Sequence, residues 1–124
     1  MKPTIDISRR PIVVVTFHRT LTADDVVEHF REVTHTVRDL GRVGMVVDLS
    51  QAPFFSAAMR RLGSSEMRRA YAAVGSQIVG AAHVVDSATI RGMLTAVYWL
   101  APPPFPSTVV ADTESAFEWV RARL

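Results

Sequence analysis

Apolar positions along the chain change rhythm several times, and each change predicts an element. Thr4–Ser8 and Pro11–His18 read as two short strands joined by Arg9 and Arg10, the second carrying the β-branched run Ile12, Val13, Val14 and Val15. A direct hairpin is the economical connection between them. From Thr22 the period lengthens. Val26, Phe30, Val33, Val37 and Leu40 recur at four- and three-residue steps, which draws one apolar stripe along a helix of roughly five turns. Thr22 is placed to cap that helix, Asp24 and Asp25 favour the positive end of its dipole, and Gly41 is placed to end it. Glu28, Arg31, Glu32, His35, Arg38 and Asp39 fall on the wet side.

Val43–Leu49 is the next strand, apolar until Asp48, and Ser50–Phe55 is a loop. A helical stretch runs from Ser56 to about Val74, but Gly63, Ser64 and Ser65 interrupt it. A kink or break is expected there, with Ser64 or Ser65 capping a second piece. Ser76–Val85 is apolar almost throughout, as in a strand covered on both faces. Ser87 can cap a helix over Ala88–Leu100, which Pro102, Pro103 and Pro104 stop. Thr108–Ala111 reads as the last strand, and Thr113 as the cap of a helix ending at Leu124. The order β-β-α-β-α-β-α-β-α predicts an α/β fold with a mixed, mostly parallel sheet, right-handed crossovers and helices packed on it. No linker, repeat or low-complexity segment divides residues 1–124, so one domain is expected.

Composition narrows the chemistry. The 124 residues are 48% hydrophobic and 21% charged, which suits a packed core and not a disordered chain. With no cysteine there can be no disulfide, thiolate nucleophile or cysteine zinc site. The pI of about 9.7 exceeds what a net charge of +2 suggests, because Lys2 is the single lysine and arginine keeps its charge at any working pH. Nucleic-acid binding needs a concentrated basic face, so no nucleic-acid partner is expected. The most apolar helical run, Met93–Ala101, is about half the roughly 20 residues a membrane span requires. Met1–Arg10 is not followed by the apolar core of a signal peptide, and a cytoplasmic location is expected.

Three stretches resemble the SpoIIAA-like (STAS-like, SEC14-related) family of small domains. They are the Leu21-Thr22 turn with its acidic helix start at Asp24-Asp25, the strand-to-loop segment Val46-Val47-Asp48-Leu49-Ser50, and the tail Asp112-Thr113-Glu114-Ser115-Ala116-Phe117-Glu118-Trp119-Val120. The similarity spans nearly the whole chain through short, degenerate motifs, and implies a SpoIIAA-like fold. Classical anti-sigma-factor antagonists of this type carry a phosphorylated Ser after an Asp at the start of the helix that follows the loop. Laid on that pattern, this chain has Ser56 at the Asp and Ala57 at the Ser. A one-residue slip puts Ser56 at the phosphosite with no preceding Asp. Ser56 reads instead as a helix N-cap.

Candidate chemistry is sparse. Asp48 stands at the carboxyl end of a strand, where open α/β sheets bind ligands; it can orient a ligand, act as a base, or bond the loop amides from Ser50 to Ala52. His83 and Asp86 could form a Ser-His-Asp set with Ser50 or Ser56, but no Gly-x-Ser-x-Gly elbow is present and His83 reads as a core histidine with one satisfied nitrogen. His18, His29, His35 and His83 are scattered and have no metal-ligand spacing, so no metal site is expected. Phosphate-binding glycine loops are absent and no cofactor is expected. Arg60, Arg61, Arg68 and Arg69 span one half of a helix: a basic face for acidic partners, lipid headgroups or nucleic acid, or else an ordinary solvated face. Phe54 and Phe55 lie in a loop, where two apolar rings must fold onto the core, line a pocket or meet a partner. Ile90, Met93, Leu94, Val97 and Tyr98 form a helical stripe with Trp99 off it.

Three functions compete. The first is a non-catalytic regulatory or protein-interaction domain of STAS-like type, working as a homodimer or on another protein. The second, implied by SEC14-like relatives and given chemistry by Phe54, Phe55, Tyr98 and Trp99, is a binder of lipid or another apolar small molecule. The third is an enzyme, which would need Asp48, His83 and a Ser within hydrogen-bond reach.

Overall fold

The valine run near the amino end forms β2 (Ile12–Thr16), antiparallel to β1 (Thr4–Asp6), with Thr4 opposite Thr16 and Asp6 opposite Val14. The computed structural model describes residues 1–124. The chain continues as α1 (Ala23–Leu40), β3 (Val43–Asp48), α2 (Ala57–Val74), a 3₁₀ turn (Gly75–Gln77), β4 (Ile78–Val84), α3 (Ala88–Leu100), β5 (Ser107–Val110) and α4 (Thr113–Arg121). The five strands lie in sequence order, β1-β2-β3-β4-β5, and every pair after the first is parallel. Each parallel neighbour therefore follows its predecessor through one helical crossover, as the element order predicts. Crossovers of one hand stepping one way along a sheet place their helices on one face. The packing agrees: α2 lies between α1 and α3, while α4 covers β3, β4 and β5 from the other side.

Period-two alternation divides the apolar side chains between these two faces. Val13, Val15, Val43, Met45, Ile78 and Ala81 point toward the three-helix layer, where they meet Val33, Val37, Val74 and Phe105. Ile12, Val46, Ala82 and Val84 point the other way, onto Ala116, Phe117 and Val120 of α4. The alternation slips once. The β3–β4 register shifts between Val43↔Ile78 and Met45↔Ala81, an extra residue in β4 of the β-bulge kind. Above the carboxyl edge, Leu49, Val85, Ile90 and Met93 close a third small cluster that anchors α3.

Caps define the helix ends. Thr22 and Asp25 form a reciprocal capping box on α1. Gly41 follows α1 with φ +84, a left-handed backbone that favours glycine. Two local expectations are corrected. The last helix is capped by Asp112, which accepts from the Ser115 amide at 2.8 Å, and not by Thr113; it ends at Arg121 rather than Leu124. A carboxylate is the better acceptor at that position, so the cap moves one residue toward it.

The second correction concerns α2, which is continuous through Gly63, Ser64 and Ser65. Ser64 is buried and its hydroxyl donates back to the Arg60 carbonyl at 2.8 Å, so the side chain is satisfied inside the helix and has no need to cap a new one. Tertiary packing of Ala70 and Val74 overrides the weak propensity of the glycine. A Cβ on Gly63 would meet nothing within 4 Å. Gly63→Ala is accordingly expected to raise stability by up to about 1 kcal/mol in urea melts, and a loss would show that α2 needs the glycine. No helix is long and apolar enough to cross a membrane.

Candidate functional site

Between the sheet and the three-helix layer the side chains leave a cavity of about 110 Å³. Its floor is the inner face of β2, β3 and β4 (Val15, Met45, Val47, Ala81, His83), and its roof is built from α1, α2 and α3. Of 26 lining residues 21 are hydrophobic, and the one formally charged group among them is Arg60. The space exists because the floor residue of β4 is the small Ala81 while the roof is spread over three helices. A methyl group there cannot fill the gap that a Leu or Phe would.

Two histidines face this space from opposite sides. His83, on β4, brings Nδ1 within 3.3 Å of the Thr108 carbonyl, and the Tyr98 hydroxyl is hydrogen-bonded to the same ring at Nε2. With Nδ1 donating to the carbonyl, Nε2 is the acceptor of the Tyr98 proton; that tautomer follows from the network. Burial lowers its pKa to about 4, with the Thr108 contact opposing part of that shift, so His83 is neutral near pH 7. The same burial raises the Tyr98 and Tyr71 hydroxyls above their ordinary value. His29, on α1, is only 3% exposed, and its Nδ1 has no hydrogen-bond partner. Its ring sits edge-on to Phe17 at 5.6 Å and to Phe30 at 4.9 Å. Desolvation holds its pKa at about 4, with Glu32 and Lys2 as smaller opposing influences.

The residues singled out in the sequence take several different places. Phe55 and Tyr98 line the cavity: Phe55 tilts against Phe17 at 6.3 Å, and its amide donates to Met93 Sδ at 3.1 Å. Arg60 lines it too, donating Nη1–H to the Phe55 carbonyl at 2.6 Å and lying over the Phe54 ring at 5.6 Å. Phe54 itself is 64% exposed and Trp99 83%, so neither belongs to the cavity. Asp48 accepts the Ser50 amide at 2.9 Å, tying down the loop. Ser56 caps α2 through the Met59 amide at 3.1 Å. Of the four arginines, Arg61, Arg68 and Arg69 are exposed on the continuous α2, and Arg60 is partly buried. Arg68 donates to the Leu100 carbonyl at 2.9 Å, Arg69 lies 3.8 Å from Glu66, Arg60 turns to the cavity, and Arg61 is exposed.

A Ser-His-Asp set is not assembled. The His83 ring meets Tyr98 and Thr108, Asp86 is exposed, and Ser56 is occupied as a cap. Nor do three His, Asp or Glu side chains converge to hold a metal. The amino-acid sequence marked His29 only as one of four scattered histidines, although a signal for its burial was present: it lies three residues after Val26 and four before Val33, on the apolar stripe of α1. A polar residue on such a stripe is buried with the rest of it, and whether it is satisfied depends on what lies opposite. Compared with models of known protein families and with curated proteins, the chain matches none.

Proposed function

We propose that this protein is a non-catalytic binding domain of STAS-like type whose cavity takes an apolar small molecule. The STAS-like assignment is supported by the sequential mixed sheet, with three crossover helices on one face and the terminal helix on the other. The cavity carries the functional part of the reading. An unfilled apolar space of this kind weakens the fold by roughly 24 cal/mol per Å³ of residual volume, and binding a ligand that fills it recovers that deficit. Its walls also fit: apolar surroundings with a few convergent polar groups are the usual composition of a small-molecule site.

The competing reading, a homodimeric interaction module, draws support from exposed apolar side chains. Trp99 and Leu100 stand in solvent at the end of α3, and Phe54 does so in the loop before α2. Native mass spectrometry of the purified protein, read beside its denatured mass, separates the two. Non-covalent mass retained by the folded species, or acquired on adding octanol, is the expected result. A dimer that takes up no octanol would overturn the cavity reading in favour of the interaction module.

A further inference from the structure

We infer that the cavity is made for an amphiphile with an anionic head, the head held by Arg60 and the apolar body lying on the sheet. This rests on the small-molecule reading above and specifies its ligand. Arg60 is the single formal charge in the lining, which contains no carboxylate. The ion pairs of the molecule are Met1–Asp25, Lys2–Glu32, His35–Asp39 and Arg69–Glu66, so the Arg60 guanidinium has no counter-ion in the protein. It is partly buried, and only Nη1 is engaged by a carbonyl. The remaining N–H groups of a guanidinium form a planar fork that matches a carboxylate or phosphate. A cationic head would be repelled by it, and an uncharged one would gain far less.

His29 supplies the independent observation. A buried ring nitrogen without a partner, on the lining of an otherwise apolar space, points to a ligand that brings a polar atom and not to a pure hydrocarbon. His29 packs edge-on to Phe17, Phe17 packs on Phe55, and Arg60 donates to the Phe55 carbonyl; Phe17 directly follows β2 and Phe55 lies in the loop after β3. That is the carboxyl edge of the sheet, where parallel α/β sheets receive ligands. Size sets the body. At roughly 30 Å³ of liquid volume per water, about 110 Å³ is the space of about four waters, somewhat less than the roughly 150 Å³ that holds benzene. The cavity therefore takes a short alkyl segment, and a longer chain would extend out of it.

Calorimetric titration of the whole chain at pH 7 with octanoate, octyl phosphate, octanol and octylamine tests this. Octanoate or octyl phosphate is expected to bind roughly tenfold or more tightly than octanol, with octylamine weakest, as a charge-assisted hydrogen bond implies; which anion leads identifies a free carboxylate or a phosphate head. In Arg60→Met that preference should collapse to about twofold or less while octanol affinity holds, and Arg60→Lys should restore part of it. Retained octanol binding certifies that the variant is folded. Octanol binding as tightly as both anions, or Arg60→Met keeping the preference, would overturn the anionic-head inference and leave the apolar site standing. Failure of all four compounds to bind the unaltered protein would overturn both.

Discussion

Acidification from pH 6.5 to 4 is expected to remove about 3 kcal/mol of folding stability for each of two buried histidines, largely before the carboxylates titrate. His29 and His83 both have their pKa lowered from 6.5 to about 4, chiefly by desolvation. The unfolded chain therefore binds protons first as pH falls. Between those two values each protonation of the unfolded form draws the equilibrium away from the fold, and the loss is complete once the folded form also protonates, below about pH 4. Two such losses are of the same order as the roughly 5–15 kcal/mol that a domain of this size commonly possesses. Asp6, Asp25 and Asp112, whose carboxyls are held below their ordinary value of 3.8 by amide hydrogen bonds, contribute only at still lower pH.

Urea melts at half-unit pH steps would show the slope. His29→Phe is the informative variant, because Phe17 and Phe30 already flank the ring and Nδ1 has no partner to lose. It should fold at pH 7 and lose about half as much stability on acidification as the parent. A flat profile from pH 6.5 to 4 in the parent would show that neither ring is buried neutral.

The second large effect lies on the opposite face. Gly44 sits in β3 beneath α4, and a Cβ built on it would fall well inside the contact radius of Val120 Cγ1, with Val79 Cγ2 at 3.8 Å. Val120 is fully buried and its branched side chain has little rotamer freedom in a helix, so it cannot turn aside. Gly44→Ala should then push α4 off the sheet locally, at a cost of about 2–3 kcal/mol. Val120→Ala alone should lose about 2 kcal/mol through lost burial and the space it leaves. Together the two should cost less than their sum by about 1 kcal/mol or more, since the added methyl group occupies the volume the valine gives up. Strict additivity in urea melts would mean that the glycine is not there for α4.

The order and type of the elements were legible in the amino-acid sequence. The β-branched run from Ile12 to Val15, the stripe of α1 and the proline stop after α3 are local patterns, and local patterns need only their own periodicity to be read. The run of hydrophobic residues also implied parallel pairing, because alternating strands and helices leave few other ways to bury both faces of Ser76–Val85. Ser56 and Asp48 were legible for the same reason: a cap and a loop-amide bond reach across two or three residues.

Phe55 and Tyr98 were legible as candidates for an apolar site, but the rest of the cavity was decided at longer range. That Gly63 would not break α2 depended on Ala70 and Val74 finding cover, which the helix's own composition does not state. That Arg60 would line an apolar space depended on the Phe55 carbonyl being within its reach. His83 and Tyr98 are 15 residues apart and become partners only because α3 crosses over β4. His29 belonged to a readable stripe, yet its lack of a partner reflects what the sheet, the loop after β2 and α2 place opposite it. Periodicity dictates which face a side chain takes; only the packing of separate elements dictates whether that face meets a partner or an open space.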